Sequence, residues 1–507
     1  MSTNKNIPVI INRKLRSRLK GATLTPLILC LAAIISMCIG GCSKEQQWLQ
    51  DDELTLKSSC DTLSFDTVFT TVGTVTRHLT VMNPYSQTVN IAEIRLENGN
   101  ASRFRINVDG DTGTIVRNVL IEPGDSIFIF VQANINPNNE SEPFLIEDAV
   151  AIDVTGHGNK VRNRIILEAY GRNAVYHLPD QIIHDSYGNA YPYSIINCRS
   201  WNHFLPHVIM GYAVVDEDSL LCLQAGEKLY FGTDAVLWVY DGGTLRTEGT
   251  QGDPVLFTSM RHDGHYDQLP GQWGYIWLSA GCRNNIISHT VIENATVGIL
   301  ADTVVGNSPT LTIDNTVVRN HSLAGIVGQG TWIEGDNLLV HNCGTAALAL
   351  QYGGRYRFNS STFANYWAYS TRKGPAVVIN NYYTHSGTIY PRPIVQANFT
   401  NCIIAGSLAN AELLLDQFPT AAFNTSFTHC LLATTADTLQ RHSVIAIGNI
   451  YGKDPMFTDH EKADYHISAD SPAAAAGTAD GMRTATDLDG TLWHSPPAIG
   501  AYEIKNN

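Results

Sequence analysis

The chain has 507 residues, of which 44% are apolar and only 16% charged, so it can bury a large core and exceeds one ordinary domain. Gly, Asn, Thr and Ser are plentiful, which suits many short strands joined by tight turns better than long helices. The first 42 positions hold six basic residues and no acid. Beyond them 27 Lys and Arg face 47 Asp and Glu, a formal charge of −20 that argues against nucleic acid as a partner.

Lys5, Arg13, Lys14, Arg16, Arg18 and Lys20 precede an apolar run over 22–39, which ends at Ile39-Gly40-Gly41-Cys42. A single membrane helix is the plain alternative, but Pro26, Gly40 and Gly41 weaken it. The sequence around Cys42 resembles the lipobox of bacterial lipoproteins. That resemblance implies a signal peptide over 1–42, a lipid on the Cys42 thiol and attachment to the membrane through that lipid. Ser43-Lys44-Glu45 and Asp51-Asp52-Glu53 are similar to the acidic export tags of surface lipoproteins in the Bacteroidetes. They imply the outer membrane, on its cell-surface side. Residues 43–59 read as a polar tether.

From 60 to 172 short alternating runs recur, among them Leu63 with Phe65, Leu79 with Val81, and Phe104-Arg105-Ile106-Asn107-Val108. Turn signals such as Asn83-Pro84, Asp109-Gly110 and Pro123-Gly124 divide them. Seven or so strands over this length predict an immunoglobulin-like β-sandwich without a catalytic spacing. Residues 173–218 lack periodicity and read as a packed connector.

The region 219–453 carries an eight-residue pattern starting at Ile287, Ile313, Gly335, Phe358, Phe399 and Phe427. Its third position holds His289, Asn315, Asn337, Ser360, Asn401 and His429. The sixth holds Ile292, Val318, Val340, Phe363, Ile404 and Leu432. Starts fall 26, 22, 23, 41 and 28 residues apart, the 41 read as nearly two turns. A period in the twenties with one short apolar strand per face predicts a solenoid. Asn suits the left-handed conformation of sharp turns, and stacked Asn side chains can bond to one another. If the third residue is the turn, positions four and six point inward. Cys402 and Cys430, both at position four, then stack about 4.8 Å apart. That spacing allows a disulfide, although buried free thiols fit as well and are the favoured reading. With Cys42 lipidated seven other Cys remain, so at least one is unpaired in a monomer.

Upstream, Leu221-Cys222-Leu223, Leu229-Tyr230-Phe231 and Leu237-Trp238-Val239 read as earlier coils. Together with the repeats they resemble right-handed parallel β-helix proteins of the pectate-lyase-like superfamily. Asp454-Pro455-Met456-Phe457, Asp487-Leu488-Asp489-Gly490 and Ile499-Gly500-Ala501-Tyr502-Glu503 are similar to the terminal segment of bacterial β-helix proteins labelled choice-of-anchor. That likeness implies a capping segment over 454–507. The superfamily includes lyases, hydrolases and inactive scaffolds, so the likeness implies fold more than activity.

Chemistry is sparse. Arg261, His262, Asp263, His265 and Asp267 form the densest polar cluster and can bind a cation or pair with a uronate, though a polar excursion between coils explains them too. Tyr366, Trp367 and Tyr369 can stack on sugars, or simply pack a loop. Asp314 and Glu334 sit at or near equivalent positions one coil apart, the arrangement a glycoside hydrolase needs, yet strand-end acids are the commoner explanation. The Lys or Arg base and calcium-binding carboxylates of the family lyases have no residue-by-residue counterpart. The expectation is therefore a surface-anchored, non-catalytic glycan-binding or scaffold module that needs no cofactor. The alternative is a polysaccharide lyase or hydrolase working in a groove along the β-helix, with calcium.

Overall fold

The structure is a computed structural model that describes residues 48–49, 54–70, 76–138, 144–155, 161–185, 187–261, 264–372 and 374–505. Cys42, His262, Asp263 and the side chain of His265 lie outside the described residues.

The N-terminal part is a sandwich of two five-stranded sheets. One runs Lys57–Ser58, Arg77–Met82, Ser126–Ala133, Phe104–Val108 and Asp111–Gly113. The other runs Thr62–Phe69, Val161–Arg172, Phe144–Val154, Val89–Leu96 and Ile115–Ile121. Alternation builds the core: Phe104, Ile106 and Val108 turn inward, as do Leu79, Val81, Ile129 and Val131, against Ile91, Ile94, Ile152 and Leu167 from the facing sheet. Phe69 at the edge of the sandwich meets Tyr230 of the next domain edge-on, with ring centroids 4.7 Å apart, around a small cluster with Val208.

The remainder is a parallel β-helix, whose right-handed sense follows the twist rule for parallel crossovers. Two of its faces form one continuous 18-stranded sheet, and a 10-stranded sheet forms the third. The connector region already belongs to it, since Val175–His177 and His207–Ile209 join the large sheet and Tyr212–Val215 the smaller one. Ile287, Ile313, Gly335, Phe358, Phe399 and Phe427 stack in register through all six coils. Every third-position residue is left-handed: φ is 45° at His289 and Asn315, 54° at Asn337, 43° at Ser360, 52° at Asn401 and 49° at His429. That one residue turns the chain from the first face to the second, so positions four and six both enter the core. Asn337 donates to Asn315 at 3.0 Å, while Asn320 donates to Asn294 at 2.6 Å and Asn342 to Asn320 at 2.9 Å.

Phe358 pairs directly with Phe399, so the 41-residue interval is one coil and not two. Its extra length leaves the rod in two excursions, 366–376 and 381–393, the second holding an antiparallel hairpin of Tyr382–His385 and Thr388–Pro391. Gly335 breaks the apolar first position for a steric reason: a Cβ there would lie 2.6 Å from the Phe358 ring. Cys402 and Cys430 are stacked free thiols, the Cys402 amide donating to Cys430 Sγ at 3.4 Å.

Both ends of the core are closed. Trp201, stacked on His207 at 3.5 Å, covers the first coil, and Leu439 with Val444 at the short helix Ala436–Arg441 covers the last. The terminal segment 454–505 lies along the side of the rod instead. Its Tyr465, Ala473, Ile499 and Ala501 pack over the outward residues Leu339, Ala364, Ile403 and Leu431. Asn337 and Asn401 also donate outward to its Thr486 and Thr478 carbonyls, at 2.7 and 2.8 Å.

Candidate functional site

The 261–269 loop and the 366–372 excursion meet on one side of the rod, a juxtaposition the spacing did not reveal. Tyr369 Oη donates to the Gln268 carbonyl at 2.6 Å, and Asn294 Nδ2 to the Asp267 carbonyl at 2.8 Å. The Arg261 guanidinium lies 3.2 Å from the centroid of Tyr266. No group of three His, Cys, Asp or Glu among the described residues has metal-binding geometry. Tyr366 stacks on His460 at 4.0 Å, so the terminal segment occupies one face of its ring. Trp367 is tilted 53° against Tyr369 at 5.0 Å, and its indole donates to Ser370 Oγ. Trp367 and Tyr369 thus pack on each other, whereas Tyr366 packs on Phe457, His460 and Tyr465 of the terminal segment.

Register also separates the acids. Asp314 pairs with Asp336, while Glu334 pairs with Thr312, two residues earlier on the strand. Arg357 grips both Asp336 oxygens at 3.0 Å and reaches Glu334 at 3.0 Å. Arg483 from the terminal segment adds a contact to Glu334 at 2.9 Å. Burial alone would raise the Glu334 pKa, but Arg357 and Arg483 outweigh it and hold the carboxyl below its ordinary value. Asp314 accepts from Ser288 Oγ at 2.6 Å and from Asn315 at 2.9 Å. These carboxylates are committed to anchoring the terminal segment and the coil turns. None is poised as an acid or nucleophile.

The third face presents a different surface. Along Val236–Val239 and Ile276–Leu278, Leu237, Val239, Ile276 and Leu278 point inward, which sends Trp238, Tyr240, Tyr275 and Trp277 out. Trp238 and Trp277 are directly paired across the strands, with rings 4.8 Å apart and 14° from parallel. Tyr240 meets Trp238 edge-on at 5.4 Å, Tyr212 lies 6.3 Å from the same indole, and Tyr275 flanks Trp277 at 6.4 Å. Asp302 on the next coil accepts from Trp277 Nε1 at 3.1 Å and fixes its plane. Burial raises the Tyr212 and Tyr275 pKa values, keeping both phenols neutral donors. The result is a row of partly exposed rings along the rod axis, spaced by coils and edged with hydroxyls. The two indoles cover one face of each other, and their partly exposed edges with the flanking phenols form an apolar strip with a polar margin.

No family model matches this chain, and no curated protein matches it. Among solved structures it is similar to the catalytic unit of a GH87 alpha-1,3-glucanase from Streptomyces thermodiastaticus strain HF3-3, at 10% identity and TM-score 0.24 over 74% of this chain and 75% of that one. The A-module of a mannuronan C-5 epimerase from Azotobacter vinelandii aligns at 11% identity and TM-score 0.20, over 55% of this chain and 87% of that one. The periplasmic chaperone SfaE aligns at 11% identity and TM-score 0.18, over 28% and 71%. Likeness this slight carries no argument about activity. The fold and the exposed row define a sandwich joined to a parallel β-helix that bears an aromatic face.

Proposed function

We propose that this chain is a carbohydrate-binding module without catalytic activity, held on the outer membrane by a lipid on Cys42 and spaced from it by the sandwich. The observation that carries this reading is the row Tyr212, Trp238, Tyr240, Tyr275 and Trp277 on the third face. Sugar rings present axial C–H faces that stack on indoles and phenols, while their hydroxyls reach polar groups at the ring edges. A stiff β-helix keeps such stacking partners at fixed spacing, so a polysaccharide binds without ordering a loop. The commitment of Glu334, Asp336 and Asp314 to structural bonds argues for binding over hydrolysis.

The test uses the soluble chain lacking 1–42 on a panel of immobilised polysaccharides, with affinity and released reducing ends followed together. We expect retardation on at least one neutral or acidic glycan, with Trp277→Ala and Trp238→Ala each weakening it about tenfold, the scale of one lost stacking contact. Glycan cleavage lost in Asp302→Asn would replace this reading with an enzymatic one.

A further inference from the structure

Two arginines that face outward from the later coils are held by acids, Arg319 by Glu293 and Arg357 by Glu334 and Asp336, and the buried Arg372 pairs with Glu412. Arg355 and Arg392 are placed differently. Each lies over an aromatic ring, Arg355 at 4.5 Å from the Trp332 centroid and Arg392 at 5.8 Å from that of Tyr383. Among the described residues neither has a carboxylate partner. Both line a cleft of about 420 Å³ where the chain passes from the third face to the first, and no acidic residue lines it.

The cleft is shaped by unusual backbone. Tyr352 on its wall has φ 63°, a left-handed conformation rare for a bulky residue, and Asn380 Oδ1 pins its amide at 2.8 Å. Gly353 follows it because the chain at 392–393 passes too close for a side chain, a Cβ there lying 2.5 Å from the Pro393 carbonyl, and a Cβ on Gly354 would lie 2.5 Å from the Thr331 carbonyl. Tyr352 in turn meets Tyr383 edge-on at 5.6 Å. Two guanidiniums are thus held over aromatic faces with N–H edges free for an incoming anion. Thr303 on the rim follows Asp302, the acceptor of Trp277, so the cleft and the aromatic row are neighbours across one strand end.

We infer that this cleft binds the anionic substituent of an acidic sugar, a carboxylate or a sulfate, through Arg355 and Arg392, with Trp332 and Tyr352 against the sugar ring. The inference rests on the carbohydrate reading above and gives it a substrate class. The chain beyond residue 42, with a net charge of −20, repels polyanions elsewhere on its surface, so retention of one requires a local cationic site.

The experiment is affinity electrophoresis of the chain lacking 1–42 through gels holding dextran, carboxymethyl-dextran or dextran sulfate, which share one backbone. Retardation by a charged polymer beyond that by dextran is expected, and the two charged forms distinguish carboxylate from sulfate. Arg392→Ala, at an exposed position, and Arg355→Ala should each weaken that binding at least fivefold. Trp277→Ala should lower the neutral and charged components alike, which separates a failed cleft from a failed aromatic row. Arg392→Lys should retain part of the effect, and thermal melts of all variants check folding. Equal retardation of wild type and both alanine variants by the charged polymers overturns the inference. So does the absence of extra retardation by either charged form.

Discussion

His321 and His341 are buried imidazoles, one in the core and one beneath the terminal segment. Burial pushes both pKa values down to about 3, against 6.5 in the unfolded chain. His207 and His177, at the start of the rod, are lowered to about 3 and about 4 for the same reason. A base whose folded pKa lies below its unfolded value takes up its proton first in the unfolded chain, so acid favours unfolding. The contribution of these four residues is therefore full above pH 6.5 and is lost progressively as pH drops from there towards 3. Melting temperature measured from pH 7.5 to 5 should decline, and His341→Phe, which keeps a ring against Tyr465, should flatten that decline. An unchanged slope in the variant would refute the assignment.

At the level of elements, the one-residue turn governs the fold. Asn337 occupies left-handed space, donates to Asn315 and to the Thr486 carbonyl, and so joins two coils and the terminal segment. Asn337→Ala should cost about 1–2 kcal/mol from the backbone strain alone and further free energy from the lost bonds. Asn337→Gly removes only the bonds and should cost less, a difference that urea unfolding can read. This turn was legible in the sequence because His289, Asn315, Asn337, Ser360, Asn401 and His429 recur at one phase, with inward residues fixed on either side. The wide interval before Phe399 reads in the sequence as nearly two turns, since spacing cannot tell a second coil from an excursion. The aromatic row is not legible in the sequence for a related reason. Trp238 and Trp277 lie on the third face, upstream of the repeat and 39 positions apart in the chain, and only strand register brings them together. The 261–267 cluster and Tyr366, Trp367 and Tyr369 stand out in the sequence by local density, and what each side chain packs against is not written there.

For the molecule as a whole, a solenoid's stability is normally a sum over neighbouring coils. Here the terminal segment spans them. Its Gly481, Thr478 and Thr486 carbonyls take bonds from Asn359, Asn401 and Asn337, its Arg483 holds Glu334, and its Asp489 carbonyl accepts from Gln251 near the first coils. The column it covers includes Leu339, Ile403 and Leu431, each contributing roughly 1.5–3 kcal/mol when fully buried. A chain ending at 453 should expose that stripe, bind a hydrophobic dye and unfold over a broader range of denaturant than the full chain. A variant lacking 454–505 that stays monomeric and unfolds as sharply would show that the segment is dispensable.

The direction in which that segment runs sets an order of events. Each coil pairs only with its neighbours, so the rod can lengthen step by step as the chain emerges. The stripe on its side stays bare throughout, because the residues that cover it are made after every coil. When they arrive they pass back over coils already assembled and close late and early turns under one band. Growth is stepwise, but completion is a single act, and the segment 454–505 decides when the rod becomes one cooperative body.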